Sequence, residues 1–275
     1  MKRIVFLIAL FLAASCNREQ LAQPQFVEWA FDTQYSKASL SESGVFSWKQ
    51  GDRIAVWNAT SGAFVPFTTI AGKGRFTAMA PENASFSAAA FYPADIAGSP
   101  SYVMLPASYS SADLASAAFP MYASVSQGDQ TLHFKHLGAM ITVTVSRLQP
   151  EVTRLELRSG ATLLSGRFDL SSDSGNQVIR QVSGNGSVVV SLSLSQEGTL
   201  SVTLPVPTGT YPISVCLGND AEHEMLLLSS SGNLSFERAN RYKLKPFDYM
   251  VERFAFESGE PVESLGIEND SQNWE

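Results

Sequence analysis

Leu132-His-Phe-Lys-His-Leu-Gly-Ala-Met-Ile-Thr-Val-Thr-Val-Ser146 is the stretch on which the reading of the whole chain turns. In its second half Ile141, Val143 and Val145 share one parity and Thr142 and Thr144 the other, the period of two of a half-buried strand. In its first half the apolar residues Leu132 and Phe134 lie on the opposite parity. The inward face therefore changes between Lys135 and Gly138. A one-residue bulge there reconciles the halves, because one extra residue sends every later side chain to the other face. The expectation is one long, bent strand near the middle of the molecule, against which shorter apolar segments pair.

Composition points the same way. The 275 residues are 44% hydrophobic, enough for real cores, and only 16% charged. Abundant Ser, Thr, Ala and Gly favour strands joined by turns over charged amphipathic helices, so the fold class is read as all-β. The net charge of -7 is unevenly placed, since seven acids and one base fall between Glu252 and Glu275. The body is nearly neutral and has no basic stripe to neutralise phosphates, which argues against a nucleic-acid partner.

At the N-terminus Lys2 and Arg3 precede nine apolar residues, Ile4 to Leu12, and then Ala13-Ala-Ser-Cys16. A basic start, a short apolar run and small residues before a cysteine describe a lipoprotein signal, and nine residues are too few to span a hydrocarbon core that needs about 20. Residues 1–15 are read as the signal, Cys16 as the lipidated first residue, and 16–25 as a tether. An ordinary signal peptide with an incidental Cys16 is the plainer alternative. The only other cysteine, Cys216, sits in a strand-like run and reads as a small core residue rather than a catalytic thiol.

Strands are expected at Phe26–Phe31, at Gly44–Trp48 and Arg53–Trp57 as a hairpin about Lys49-Gln-Gly-Asp52, and at 63–67, 75–79, 88–92 and 102–105. A short helix is expected over Ser110–Ala118. Beyond Ser146, strands are expected at 152–157, 166–170, 178–182, 188–194, 200–204, 211–217, 225–228 and 241–244. Val188 to Leu194 and Leu200 to Leu204, joined by Ser195–Thr199, read as the clearest hairpin. Spacings near ten residues with turn residues between them suggest sandwiches, with a boundary near Leu148-Gln-Pro150. This gives residues 26–147 as a first β-sandwich, 148–250 as a second, and 251–275 as an acidic tail.

The order of segments resembles the fimbrillin family, lipoprotein subunits and accessory proteins of type V fimbriae. The resemblance is carried by Phe46-Ser-Trp-Lys-Gln-Gly-Asp-Arg-Ile-Ala-Val56, Ala90-Phe-Tyr-Pro93, Phe134 to Val143, Leu164-Ser-Gly-Arg-Phe-Asp-Leu170, Leu204-Pro205 and Leu234 to Leu244. It implies two tandem transthyretin-like β-sandwich domains, outer-membrane export, fimbrial partner subunits and assembly by strand donation in support of adhesion to host or bacterial surface ligands. In that family a trypsin-like protease cuts in the loop after the first strand, often between Arg and Ala. The matching site here is Lys37-Ala38, with Lys where an Arg-specific enzyme needs Arg.

No pattern points to catalysis or to a cofactor. His133 and His136 are three apart on a strand and so face opposite ways, which disfavours a shared metal. Gly72-Lys-Gly74 lacks the rest of a phosphate loop and reads as a turn. Carboxylates lie singly in the body, with no framework to hold a pair. The leading reading is a non-enzymatic fimbrial subunit or accessory. The alternative is a surface glycan-binding lipoprotein using Trp29, Trp48, Trp57 and Trp274 as sugar platforms, against which stands core packing of the first three. In the tail Met250, Glu252, Phe254 and Phe256 share a parity, three of the four large and apolar, and Tyr249 to Ile267 is read as a candidate donor strand for a neighbouring subunit. Packing of the tail on its own second domain, or disorder after Phe256, is the competing reading.

Overall fold

The computed structural model describes residues 25–35, 48–111, 120–173, 176–219, 224–249, 264–265 and 267–268. Cys16, Lys37, Ala38, Met250, Phe254, Phe256 and Trp274 lie outside them, as do residues 44–47 and most of the helix expected over Ser110–Ala118. In chain order the strands are β1 (Phe26–Tyr35), β2 (Arg53–Asn58), β3 (Ala63–Thr68), β4 (Arg75–Pro81), β5 (Phe86–Tyr92), β6 (Ala97–Ser99), β7 (Tyr102–Leu105), β8 (Ser108–Ser110), β9 (Met121–Val125), β10 (Thr131–His136), β11 (Ala139–Leu148) and β12 (Arg154–Arg158). They continue as β13 (Ser165–Asp173), β14 (Asn176–Asn185), β15 (Ser187–Ser191), β16 (Gly198–Val206), β17 (Gly209–Tyr211), β18 (Ser214–Gly218), β19 (Glu224–Ser230), β20 (Leu234–Phe236), β21 (Arg241–Leu244), β22 (Phe247–Asp248), β23 (Ser264–Leu265) and β24 (Ile267–Glu268). Among the described residues a 3-10 turn, Ala94–Ile96, and the helical residue Ser111 interrupt the β series.

The first body closes into a ring of strands in the order β1-β10-β9-β5-β2-β3-β4. Closure comes from β1, which joins β4 on one edge and β10 on the other. An aromatic core fills the barrel: Phe31, Trp48, Phe67, Phe76, Phe86 and Phe134 are all buried, with rings meeting edge to face, as their quadrupoles favour. The strand Arg53–Trp57 expected there forms as β2, paired with β3 on one edge and with β5 on the other from Ala55 onward, while residues 44–47 of its expected hairpin partner lie outside the described residues. The turn at Lys49–Asp52 does form. The Asp52 carboxylate accepts the Lys49 amide at 2.7 Å, and the segment closes against the end of β3 through Gly51 and Thr69.

The parity change in the opening stretch marks a break between two strands, and the single bent strand with a bulge is thereby corrected. β10 belongs to the barrel, where Leu132 and Phe134 point inward. β11 pairs antiparallel with β16 and parallel with β21, in a different sheet. Leu137 and Gly138 make the crossing. At Gly138 an added Cβ would stand 2.5 Å from the Val206 carbonyl oxygen, so the backbones approach as only glycine permits. By hydrogen bonding β11 goes with the downstream half, since its partners β16 and β21 lie there. Met140 plugs the barrel core, while Ile141, Val143 and Val145 enter the second core.

That second body is a sandwich. The sheet β16-β11-β21-β24 faces the sheet β23-β19-β18-β12-β15-β8. Val143, Val202, Leu204 and Leu244 from one pack against Leu155, Val190, Val215 and Leu217 from the other. The expected hairpin of 188–194 with 200–204 is corrected as well: β15 pairs with β12 and β8, β16 pairs with β11, and residues 192–197 cross from one sheet to the facing one. The inward parity of both segments is as read. On the outer face of β12, Glu156 is buried between Arg154 and Arg158, with N to O distances of 2.7 and 2.9 Å. Beside it Cys216 is buried and not in a disulfide.

A third sheet, β14-β13-β7-β6, covers the outside of the barrel at β5 and β9. Phe168, Val103 and Leu105 bury Ala89, Phe91 and Tyr122, so β5 is covered on both faces. This accounts for the unbroken apolar run Ala89 to Tyr92, all four residues of which are buried. β7 and β8 leave the barrel to join β13 and β15 of the downstream half.

Candidate functional site

The strand that closes the barrel is the first of the described strands, and its bonding is divided. Seven residue pairs, Phe26↔Pro81 to Asp32↔Arg75, align β1 antiparallel with β4. Four, Asp32↔Thr131 to Tyr35↔Phe134, align it parallel with β10. Strand alternation sends Trp29, Phe31 and Thr33 inward and Phe26, Glu28 and Asp32 outward. Phe31 is 3% exposed, with its ring 5.1 Å from Phe67 and 5.7 Å from Phe86. Trp29 meets Phe86 at 5.1 Å and donates from Nε1 to the Pro81 carbonyl at 3.2 Å. The Thr33 amide and hydroxyl both donate to the Gly74 carbonyl at 2.8 Å. Gly74 has φ of +79°, and an added Cβ would press on Thr33 and Trp48, so glycine there admits β1 to the barrel.

Taken out, β1 would leave two strand edges, on β4 and on β10, and a hole lined by Phe67 and Phe86. Unpaired backbone groups facing an apolar hole are costly to leave unmet, so such a groove calls for another strand. Lys37 and Ala38, the expected cleavage pair, follow two residues after the end of β1 at Tyr35.

The other candidates stand apart from this site. His133 is exposed and His136 buried on β10, and among the described residues no cluster of metal-ligating side chains is present. Trp48 is in the barrel core; Trp29 and Trp57 each pack edge-on against a phenylalanine, Phe86 and Phe64. These three rings serve the packing of the barrel. Tyr249 is buried in the sandwich and its amide donates to the Ser146 carbonyl, so the stretch read as a donor starts one residue inside the chain's own core. Farther on, β23 aligns with β19 and β24 with β21, which sets residues 264–265 and 267–268 beside the chain's own strands. The sequence reading missed β4 as the partner of β1 and missed β9 altogether. The Gly72 and Gly74 punctuation just ahead of β4 was the one local signal of a close backbone approach.

No family model matches the chain, and no curated protein matches it. Solved structures do. A candidate cell adhesion protein from Bacteroides ovatus aligns with 88% of this chain and 96% of its own, at 12% identity and a TM-score of 0.51. A candidate cell adhesion protein from Bacteroides uniformis (14% identity, 90% and 98% covered, TM-score 0.45) and the tip fimbrial protein Mfa3 from Porphyromonas gingivalis (9% identity, 89% and 99% covered, TM-score 0.36) superpose too loosely to carry an argument. At such identities the likeness is one of fold alone. Over nearly its whole length the chain has the all-β fold of the Bacteroides ovatus protein, in agreement with the fimbrillin resemblance carried by its segment order.

Proposed function

We propose that this chain is a non-enzymatic subunit or accessory protein of cell-surface fimbriae, anchored in the outer membrane by lipid on Cys16, that supports adhesion and assembles by exchange of β1 for a neighbour's strand. The observation that carries the reading is the seat of β1: an N-terminal strand between β4 and β10, with aromatic side chains filling the core, followed within two residues by a basic cleavage candidate. On this reading cleavage between Lys37 and Ala38 frees β1, and the vacated groove takes the segment bearing Met250, Phe254 and Phe256 from another subunit. The alternate apolar residues of that segment match the inward pockets of Trp29 and Phe31. The barrel and the sandwich are then the family's two transthyretin-like units, the first with its sheets joined at both edges. The fold shared with a candidate cell adhesion protein supports this reading.

The test is limited digestion of the mature protein with a Lys-specific protease. Release of the segment ending at Lys37 should be followed by multimers that resist mild detergent and collapse on boiling. Lys37→Ala should give neither, a chain ending at Tyr249 should be cut without forming multimers, and Cys16→Ser should leave the membrane fraction. Multimers that retain β1, or that form from the truncated chain, overturn the assembly proposal.

A further inference from the structure

β1 is paired with β4 along one edge from Phe26 to Asp32, but with β10 along the other only from Asp32 onward. The Thr33 amide donates to Gly74 and the Glu82 amide to the Gln25 carbonyl, so odd-numbered residues of β1 turn their backbone groups to β4. The Asp32 amide donates to Gln130 on the other side, at 2.9 Å, so even-numbered residues face away from β4. On that side β10 accompanies β1 only from Asp32 onward. Ahead of Asp32, the amides and carbonyls of Glu28 and Ala30 meet no strand among the described residues.

What they face is a slot of about 530 Å³, bounded by Ala84–Phe86 and by the turn Gln127–Gln130. Two local features hold it open. β5 bends at Ala88, whose φ is +67°, so Phe86 stays with β2 while the strand leaves β9. β9 ends at Val125, where Ser126 and Asp129 close a turn through a 2.7 Å bond from the Ser126 amide to the Asp129 carboxylate. Trp29, Phe31 and Phe86 give the slot an aromatic floor. Among the described residues, Glu28, Asp32 and Asp129 line it against one cation, Arg75, which is spent on Asp32 at 3.3 Å.

We infer that this slot takes an extended peptide segment of a partner protein, added as a strand along β1, with an apolar side chain on the aromatic floor and Lys or Arg at the alternating outward positions. Backbone bonds to Glu28 and Ala30 supply the pairing that β10 supplies farther along. Outward residues of an added strand stand across from Glu28 and Asp32, where opposite charge is favoured. The unpaired reach from Phe26 to Ala30 fits a segment of about five residues at about 3.3 Å each. Because β1 forms the slot, the site exists only while β1 is in place, before the exchange proposed above, and it does not need that exchange to occur.

The experiment uses the mature chain carrying Lys37→Ala, which keeps β1, and the capped, fluorescein-labelled pentapeptide Lys-Val-Lys-Phe-Lys. Glu-Val-Glu-Phe-Glu and Lys-Ser-Lys-Ser-Lys are the controls, and maltohexaose is the sugar probe. Saturable binding of the first peptide is expected, at least about tenfold tighter than either control, and weakened by salt. Ala30→Pro removes a donor aimed at the slot and none aimed at β4, and should weaken binding about tenfold. Glu28→Lys, on an exposed side chain, should shift preference toward the acidic peptide. Cleaving the Lys37-bearing chain and removing β1 should abolish binding. Equal binding of all three peptides, unchanged binding in both variants, or binding of maltohexaose without peptide overturns the inference. None of these outcomes touches fimbrial assembly, which is read from multimers instead.

Discussion

Phe31→Ala tests whether β1 is held by its side chains as the structure requires. The ring is 3% exposed and makes edge-to-face contacts with Phe67 and Phe86 at 5.1 and 5.7 Å. Both neighbours are themselves buried and belong to β3 and β5, which are bonded into the closed ring, so the hole left by truncation has little freedom to collapse. A buried Phe→Ala change under those conditions costs about 3 to 5 kcal/mol, a large part of the roughly 5 to 15 kcal/mol by which domains are stable. Three of the four tryptophans, Trp29, Trp48 and Trp57, belong to the barrel and its wall, so their fluorescence reports chiefly on this body. With a urea slope of about 1 to 3 kcal/mol/M, the unfolding midpoint should fall by at least about 1 M. Gln34→Ala, an exposed position on the same strand, should stay within about 0.5 kcal/mol of the parent. Faster release of the segment ending at Lys37 should accompany the loss in Phe31→Ala. A shift below about 1 kcal/mol, equal to the control, would refute the reasoning, since β1 would then be held by its backbone alone and its aromatic face would not define the groove.

In the second body, Val143→Asp places a carboxylate at a position with 0% exposure between the facing sheets. The cost of several kcal/mol should leave no protease-resistant sandwich, read by limited digestion of secreted protein. Glu156→Gln addresses pH. Burial alone would raise the Glu156 carboxyl, but hydrogen bonds from Arg158 and Ser187 and the charges of Arg158 and Arg154 outweigh it and hold the group below its ordinary value. A folded value below the unfolded one of about 4.3 contributes stability above that pH and loses it as pH falls through the folded value. The Gln variant should therefore be less stable at pH 7, by about 1 kcal/mol given the partly exposed guanidiniums, with the gap closing below about pH 4 in urea titrations. A gap that stays constant with pH would show that the carboxylate charge contributes nothing.

Along this chain, which side of each strand turns inward was decided locally. Ile141, Val143 and Val145, Val188 and Val190, and Val202 and Leu204 are buried on the parity that alternation assigns, because a pleated backbone throws successive side chains to opposite faces whatever lies beside it. The all-β class follows from the same property repeated. Which strand lies beside which is not a property of any one segment. β15 and β16 alternate correctly and are near neighbours in sequence, yet they stand in facing sheets, since a short connection can turn back in one sheet or cross the core with the same residues. The parity switch at Lys135 to Gly138 was legible, but a bulge and a change of sheet produce the same pattern, and only the partners of β11 distinguish them. Ring closure by β1 depends on β4 and β10, about 45 and 100 residues away, and the slot beside it on where β9 ends and β5 bends. Those are relations between distant edges, set when the whole chain buries its apolar faces at once, and so the seat of β1 became visible only in the folded molecule.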